Sequence, residues 1–402
     1  FWLVLTMLCT VAINAASTEI DLQVAMWIND IPEIEKTQHL LDGYMEDNPG
    51  IRLELMQQPW SGYHEKMIAL AAGGVTPDVM VLSRAYLPSF AKNGIIRPVD
   101  QWLARERFDL NRDVTEIHSG TWNGQCYGIP IWGGPAVMVF NADLFETQGL
   151  PLPSDLARRQ DWTWDRLTEV GKKITKDTSG DGIKDTFGLS TPSTWEPCWY
   201  TPIRTYGGDV IERNRAVIDS AEARRGLQML TDLRWVHHIT PQLGETADFE
   251  QGTLGLGYAW MSEAPNVAQR VSGKFRIDLV TMPSGPAGVF HVAGGCPVTV
   301  SATTPHPEEA YKLAVWFAMF SDEWKLRGIP ASMITVRRDY RTYLAQFFAS
   351  PDAVIEALSG PTAAEPSIHL HRTELLQGWE PVLDDLFAGA ISVAEATEQI
   401  AH

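Results

Sequence analysis

Apolar positions along this chain change period several times, and the changes mark its elements. Ile51, Leu53 and Leu55 alternate with Arg52 and Glu54, the two-residue repeat of a strand. Tyr63 to Ala72 is rich in helix formers and stops at Gly73-Gly74. Pro77-Asp78 leads into Val79-Met80-Val81-Leu82, an unbroken apolar run suited to a strand covered on both faces. Upstream, Leu22 to Trp27 predicts a first strand. Ile34, Leu40, Leu41 and Tyr44 then fall at helical spacing before Asn48-Pro49-Gly50. The order β-α-β-α-β predicts an open α/β sheet with parallel strands and right-handed crossovers. In such sheets ligands bind beyond the carboxyl ends of the strands, where three tips converge: Trp27 to Asp30, Pro59 to Tyr63, and Ser83 to Tyr86. Each tip carries an aromatic and a hydrogen-bonding side chain. That is the equipment for a sugar, whose C–H faces stack on rings while its hydroxyls need directed partners. Trp27, Asn29, Asp30, Trp60, Tyr63, Ser83 and Arg84 are therefore candidate contacts. Ordinary packing is the competing reading for each aromatic.

Further along, Asn123-Gly124 predicts a hairpin turn ahead of a strand at Tyr127-Gly128-Ile129-Pro130. Thr163 is placed to cap a helix running to about Lys176. Ser220 to Trp235 reads as an amphipathic helix, and Glu308 to Phe320 as another, with acids in its first turn. Between these lies Asp177-Thr178-Ser179-Gly180-Asp181-Gly182-Ile183-Lys184-Asp185. Oxygen donors at Asp177, Ser179, Asp181, the Ile183 carbonyl and Asp185, with Gly182 at the turn, follow an EF-hand style loop. The bidentate acid is missing, since Gly188 stands in its place. A structural calcium and a metal-free Asp/Gly turn both stay open. No other cofactor is expected.

The run from Asn48-Pro49-Gly50 through Pro59-Trp60, Gly62 to Met67 and Ala69 to Gly74, to Pro77-Asp78-Val79-Met80-Val81-Leu82-Ser83, resembles the first domain of extracellular solute-binding proteins, family 1. These are the maltose-binding-protein-like components of sugar-type ABC importers. The segments Tyr127 to Pro130 and Val137 to Phe145 extend the likeness and resemble the family's crossing strand. Phe249 to Leu256 is similar to the family's next strand entry, with Gly255 and Leu256 where Ala and Met are usual. The resemblance implies a periplasmic binding protein-like type II fold: two α/β lobes with mixed sheets, joined by a multi-strand hinge, with a ligand cleft between them. It implies a first lobe of residues 17–132 and 283–328 and a second of 137–280 and 333–402. Ile277 to Pro283 would return to the first lobe, and Gly328 to Ser332 would make the last crossing. Gly133-Gly134-Pro135 and Gly294 would line the cleft, with Trp132 as a platform. Trp195, Glu196, Trp199, Trp260 and Glu263 would close from the second lobe. The expected activity is capture of a neutral mono- or oligosaccharide by a monomer that closes on its hinge and docks on an ABC permease. A uronate or glycerol phosphate remains open through Arg84.

Composition narrows the field. Lys plus Arg is 32 against 50 for Asp plus Glu, a formal net charge of −18, which argues against nucleic acid and against an anionic membrane face. Phe1 to Ile13 is almost wholly apolar and is followed by Asn14-Ala15-Ala16-Ser17, so residues 1–16 read as a signal peptide that lacks its basic start. Export to a periplasm is expected. Of the four cysteines, Cys126, Cys198 and Cys296 would remain after cleavage, and their spacing selects no disulfide or metal pair. Enzyme signatures are weak: there is no phosphate loop, no Gly-x-Ser-x-Gly, and His64-Glu65 has no second histidine for a zinc helix. A two-carboxylate glycosidase needs no fixed spacing, so catalysis and a scaffold role stay as lesser alternatives.

Overall fold

A computed structural model describes residues 19–29, 31–106, 117–212, 215–322, 337–352, 355, 362–364 and 372–402. The signal segment, Asp30 and the crossing expected at 328–332 lie outside the described residues. The chain opens with β1 (Ile20–Trp27), α1 (Ile31–Asp47), β2 (Ile51–Gln58), α2 (Tyr63–Ala72) and β3 (Val79–Val81). β1 pairs in parallel with both β2 and β3, so the predicted β-α-β-α-β unit is present. The run at 79–81 is buried throughout, as an apolar strand covered on both faces must be.

A short hairpin at Thr121–Cys126 feeds β4 (Gly128–Asn141), the strand on which the architecture turns. Its first part, Gly128 to Pro135, runs antiparallel to β7 (His291–Val300), which in turn pairs with β3 through Val298–Val300. Its second part, Ala136 to Asn141, pairs instead with β5 (Leu254–Trp260) and β6 (Ile277–Val280). One strand thus belongs to two sheet regions. β7 is the second connection, and the register between it and β4 shifts at Cys296/Pro297. The return expected at Ile277–Pro283 is corrected here: among the described residues, 277–280 pairs with the second part of β4. Ser284 and Ala287 still donate backbone hydrogen bonds to Trp162 and Thr205, and the chain goes back through β7.

Two main cores follow from this division. One gathers Leu22, Val24, Val79, Val81, Ile129, Ile131, Val298, Val300, Tyr311 and Phe317. The other gathers Met138, Phe140, Trp164, Leu167, Leu189, Trp199, Leu230, Leu256 and Val280, with Trp379 and Leu383 from the helix Arg372–Phe387. Thr163 caps its helix (Trp164–Ile174) by accepting the Arg166 N–H, and Ser220 caps Ala221–Trp235 through the Ala223 N–H. The helix expected over 308–320 is α-helical at Pro307–Val315 and widens to a π turn at Trp316–Phe320. Cys126 and Cys198 are buried free thiols, pushed up by burial to about 12 and about 11. Cys296 is partly exposed and forms no disulfide among the described residues.

Candidate functional site

The three tips meet. Ile28 donates its N–H to Gln58 O at 2.8 Å, holding the end of β1 against the end of β2. Asn29, exposed at that end, accepts the Trp60 N–H at 3.0 Å and so fixes the start of the second tip. The ring of Trp27 then lies edge-on to Trp60, with centroids 4.9 Å apart, and edge-on to Trp132 at 5.7 Å. Trp60 is 45% exposed and is the member that offers most of its surface outward. Ser83 is buried, and its hydroxyl caps the turn Arg84–Tyr86 by accepting the Ala85 N–H. Arg84 is half-buried in that turn.

Second-lobe aromatics approach the same floor. Trp260, half-buried at the end of β5, sets its indole edge over Gly294 of β7. A Cβ at Gly294 would stand 3.6 Å from that ring, so the missing side chain leaves a slot between ring and strand. Trp195 meets Trp260 edge-on at 5.3 Å. Along β7 only Gly294 and Cys296 are partly exposed, and a strand's period of two places them on one face. Cys296 pairs with Trp132 across the ladder, and Gly294 with Gly134. Tryptophans from both sides therefore bracket a floor made of the two connecting strands.

Several expected contacts sit elsewhere. Tyr63 is wholly buried, and its hydroxyl reaches Ala25 O and Val81 O, both at 2.9 Å. It ties β1 to β3 and is corrected to a core residue. Trp199 is likewise buried; its indole N–H donates to Thr194 O, and its ring packs edge-on to Trp379. Trp132 is 3% exposed and supports Trp27 from below rather than presenting a face. Glu196 is buried in the first helical turn after Trp195, where the helix N-terminus favours a carboxylate. Glu263 is exposed in the turn after Trp260 and donates its N–H to Trp260 O.

His64 and Tyr86 escaped the reading of side-chain roles. His64 stacks on Tyr86 with centroids 3.9 Å apart and planes 3° from parallel. The available signal was helical spacing: Tyr63, His64 and Met67 form the buried face of α2.

The Asp/Gly loop is closed on itself. Asp177 accepts the Gly180 and Gly182 N–H groups and the Ser179 hydroxyl. Asp185 accepts from Thr178 and Ser179, and Asp181 accepts the Ile183 N–H. Hydrogen bonds from the Gly182 and Gly180 backbone hold the Asp177 carboxyl below its usual range, and Thr178 does the same for Asp185. The loop's own N–H and O–H donors thus hold its carboxylates in place. Among the described residues, no group of three or more His, Cys, Asp or Glu is arranged for a metal.

Residues 31–319, well over half the chain, match the family model of the bacterial extracellular solute-binding proteins. The chain belongs to this family. Among curated relatives, a Brucella abortus protein named only as a binding protein is 22% identical over 358 residues, covering 84% of this chain and 79% of that one. An arabinooligosaccharide-binding protein of Halalkalibacterium halodurans is 24% identical over 310 residues, 70% of this chain and 64% of that one. Among solved structures, an ABC substrate-binding protein of Listeria monocytogenes in complex with cycloalternan has a TM-score of 0.81 at 17% identity, covering 95% and 97% of the two chains. A maltose-bound T. maritima protein reaches 0.76 at 21%, covering 95% and 98%. These likenesses establish the two-lobed periplasmic-binding-protein architecture of this solute-binding protein. β4, shared by both sheet regions, and β7, which pairs with the first region and sends Val292 into the second core, make its multi-strand hinge.

Proposed function

We propose that this solute-binding protein is the exported capture component of an ABC importer and takes a neutral mono- or oligosaccharide between its lobes. The observation that carries the reading is the tryptophan bracket. Trp27 and Trp60 approach from one side and Trp195 and Trp260 from the other, over a floor stripped of side chains at Gly294. Pyranose and furanose rings present C–H faces that such flat surfaces cover, and edge-set neighbouring tryptophans suit successive sugar units. The bound sugars in the maltose and cycloalternan complexes, and the specificity named for the halodurans relative, support the same class.

Capture proceeds by closure. β4 and β7 carry both lobes, and their register shift at Cys296/Pro297 lies at the floor, where a rotation of one lobe needs local backbone adjustment. Sugar first stacks on Trp27 and Trp60; Trp195 and Trp260 then cover it, and the closed form docks on a membrane permease in the periplasm. The lobes divide in our reading near 17–132 with 283–328, and 137–280 with 333–402. Among core residues, Leu22, Ile131, Val298 and Phe317 share one cluster, and Met138, Val280, Trp379 and Ile400 the other, which supports the division. No chemical step is required of the protein.

Isothermal titration with arabinotriose, maltotriose and a glucuronide, followed by chromatography of the recovered sugar, tests this reading. Saturable binding of an intact neutral sugar is expected. Binding of the glucuronide alone shifts the ligand to an acid held at Arg84, and a sugar returned cleaved makes the protein an enzyme.

A further inference from the structure

One imidazole touches all three tips. His64 lies in the first turn of α2, 1% exposed. Its Nε2 accepts the Ser83 N–H at 3.0 Å, which fastens the tip of β3. Its plane stacks on Tyr86 at 3.9 Å in that same tip. Its centroid lies 5.2 Å from that of Trp60, edge-on, and 5.7 Å from that of Trp27, tilted at 43°, the aromatics of the other two tips. A backbone N–H can only donate, so Nε2 must carry a lone pair, and a neutral His64 must hold its proton on Nδ1. Protonating Nε2 would set two N–H donors against each other 3.0 Å apart. Either the Ser83 backbone or the imidazole would then have to move, and the imidazole cannot move without displacing Trp27 and Trp60.

We propose that His64 is the positioning residue of the binding site, locking the three tips through its Nδ1-protonated tautomer. The mechanism deepens the sugar-binding reading and rests on it for its consequence, since the tips it fixes are the first surface the sugar meets. Glu65, the next residue of α2, accepts the Tyr86 hydroxyl at 3.4 Å and so steadies the ring on which the imidazole stacks.

The test compares wild type with His64→Gln, whose amide oxygen keeps an acceptor for the Ser83 N–H, and with His64→Phe, which keeps a ring without the acceptor. In the ligand-free protein, the indole N–H signals of Trp27 and Trp60, assigned by Trp→Phe variants, are read by NMR. Both signals should be single and sharp in wild type and in His64→Gln, and broadened or doubled in His64→Phe, whose tips lose their common anchor. Titration with arabinotriose and maltotriose should show His64→Gln within about threefold of wild type and His64→Phe about tenfold weaker, the cost of one orphaned buried donor. Single, sharp indole signals in His64→Phe, or an affinity lost equally in His64→Gln, overturn the role of His64. If neither sugar binds any variant, the sugar reading fails while the indole signals still decide His64.

Discussion

Acidification tests the hinge directly through His291. This residue opens β7 and is buried, with Nδ1 donating to Ala136 O on β4 at 3.1 Å. It joins the two connecting strands where β4 passes from one sheet region to the other. Burial pushes its titration from 6.5 down to about 4, against a smaller opposing pull from the Ala136 hydrogen bond. Between those values the unfolded chain binds a proton that the folded chain refuses, so stability rises with pH across the window and is lost as pH falls through it. At about 1.4 kcal/mol per pH unit, the whole gap is worth about 3 kcal/mol, and about 2 kcal/mol of it is already lost at about pH 5. His291→Asn keeps an N–H near the Nδ1 position and removes the titration. Urea unfolding at about pH 7, 6 and 5 should therefore show a steep decline in wild type and a shallower one in the variant, by about 2 kcal/mol between the ends. His237 is also held low, by burial first and then by Lys172, so the variant retains some slope of the same sign. An identical decline in wild type and His291→Asn would refute the assignment.

Three other outcomes follow from named contacts. Trp60→Ala should weaken sugar binding by about 2 kcal/mol or more, read by calorimetry, because it removes the most exposed platform of the bracket. Unchanged affinity would take Trp60 out of the site. Tyr63→Phe should cost about 1 kcal/mol of stability in urea and leave sugar affinity within about threefold, as expected of a hydroxyl spent on Ala25 O and Val81 O. A selective loss of affinity would return Tyr63 to the binding surface. Calcium, added or chelated, should leave the thermal midpoint within about one degree, since the Asp177–Asp185 loop is satisfied by its own donors. A rise of several degrees on adding calcium would show that the loop reorganises around the ion.

The order of elements is legible in the sequence because it depends on local periodicity. The alternation at 51–55, the stop at Gly73-Gly74 and the apolar run at 79–82 each set an element whose neighbours were then fixed by parallel crossover geometry. The convergence of the tips followed from the same logic. Side-chain depth was not legible. Tyr63, His64 and Trp60 lie within five residues, yet Tyr63 and His64, in the first turn of α2, are buried, while Trp60, in the loop before it, is 45% exposed. Trp199 and Trp195 divide in the same way at a helix start. The return strand was misplaced because Ile277–Val280 and His291–Val300 are both apolar runs of strand length, and only pairing tells which one reaches β3. The Asp177–Asp185 turn was legible from its Asp and Gly spacing, but which donors its carboxylates accept was not.

The most direct measurement is thermal unfolding of the mature protein against a panel of arabinooligosaccharides, maltodextrins, monosaccharides, polyols and uronates. A ligand present at roughly 100 times its dissociation constant adds about 2.7 kcal/mol, which raises the midpoint of a chain this size by roughly a few degrees. The account predicts such a rise for at least one neutral sugar recovered intact, and its loss in a Trp60→Ala, Trp260→Ala double variant. A panel in which no neutral sugar moves the midpoint, or a rise undiminished in the double variant, would contradict it.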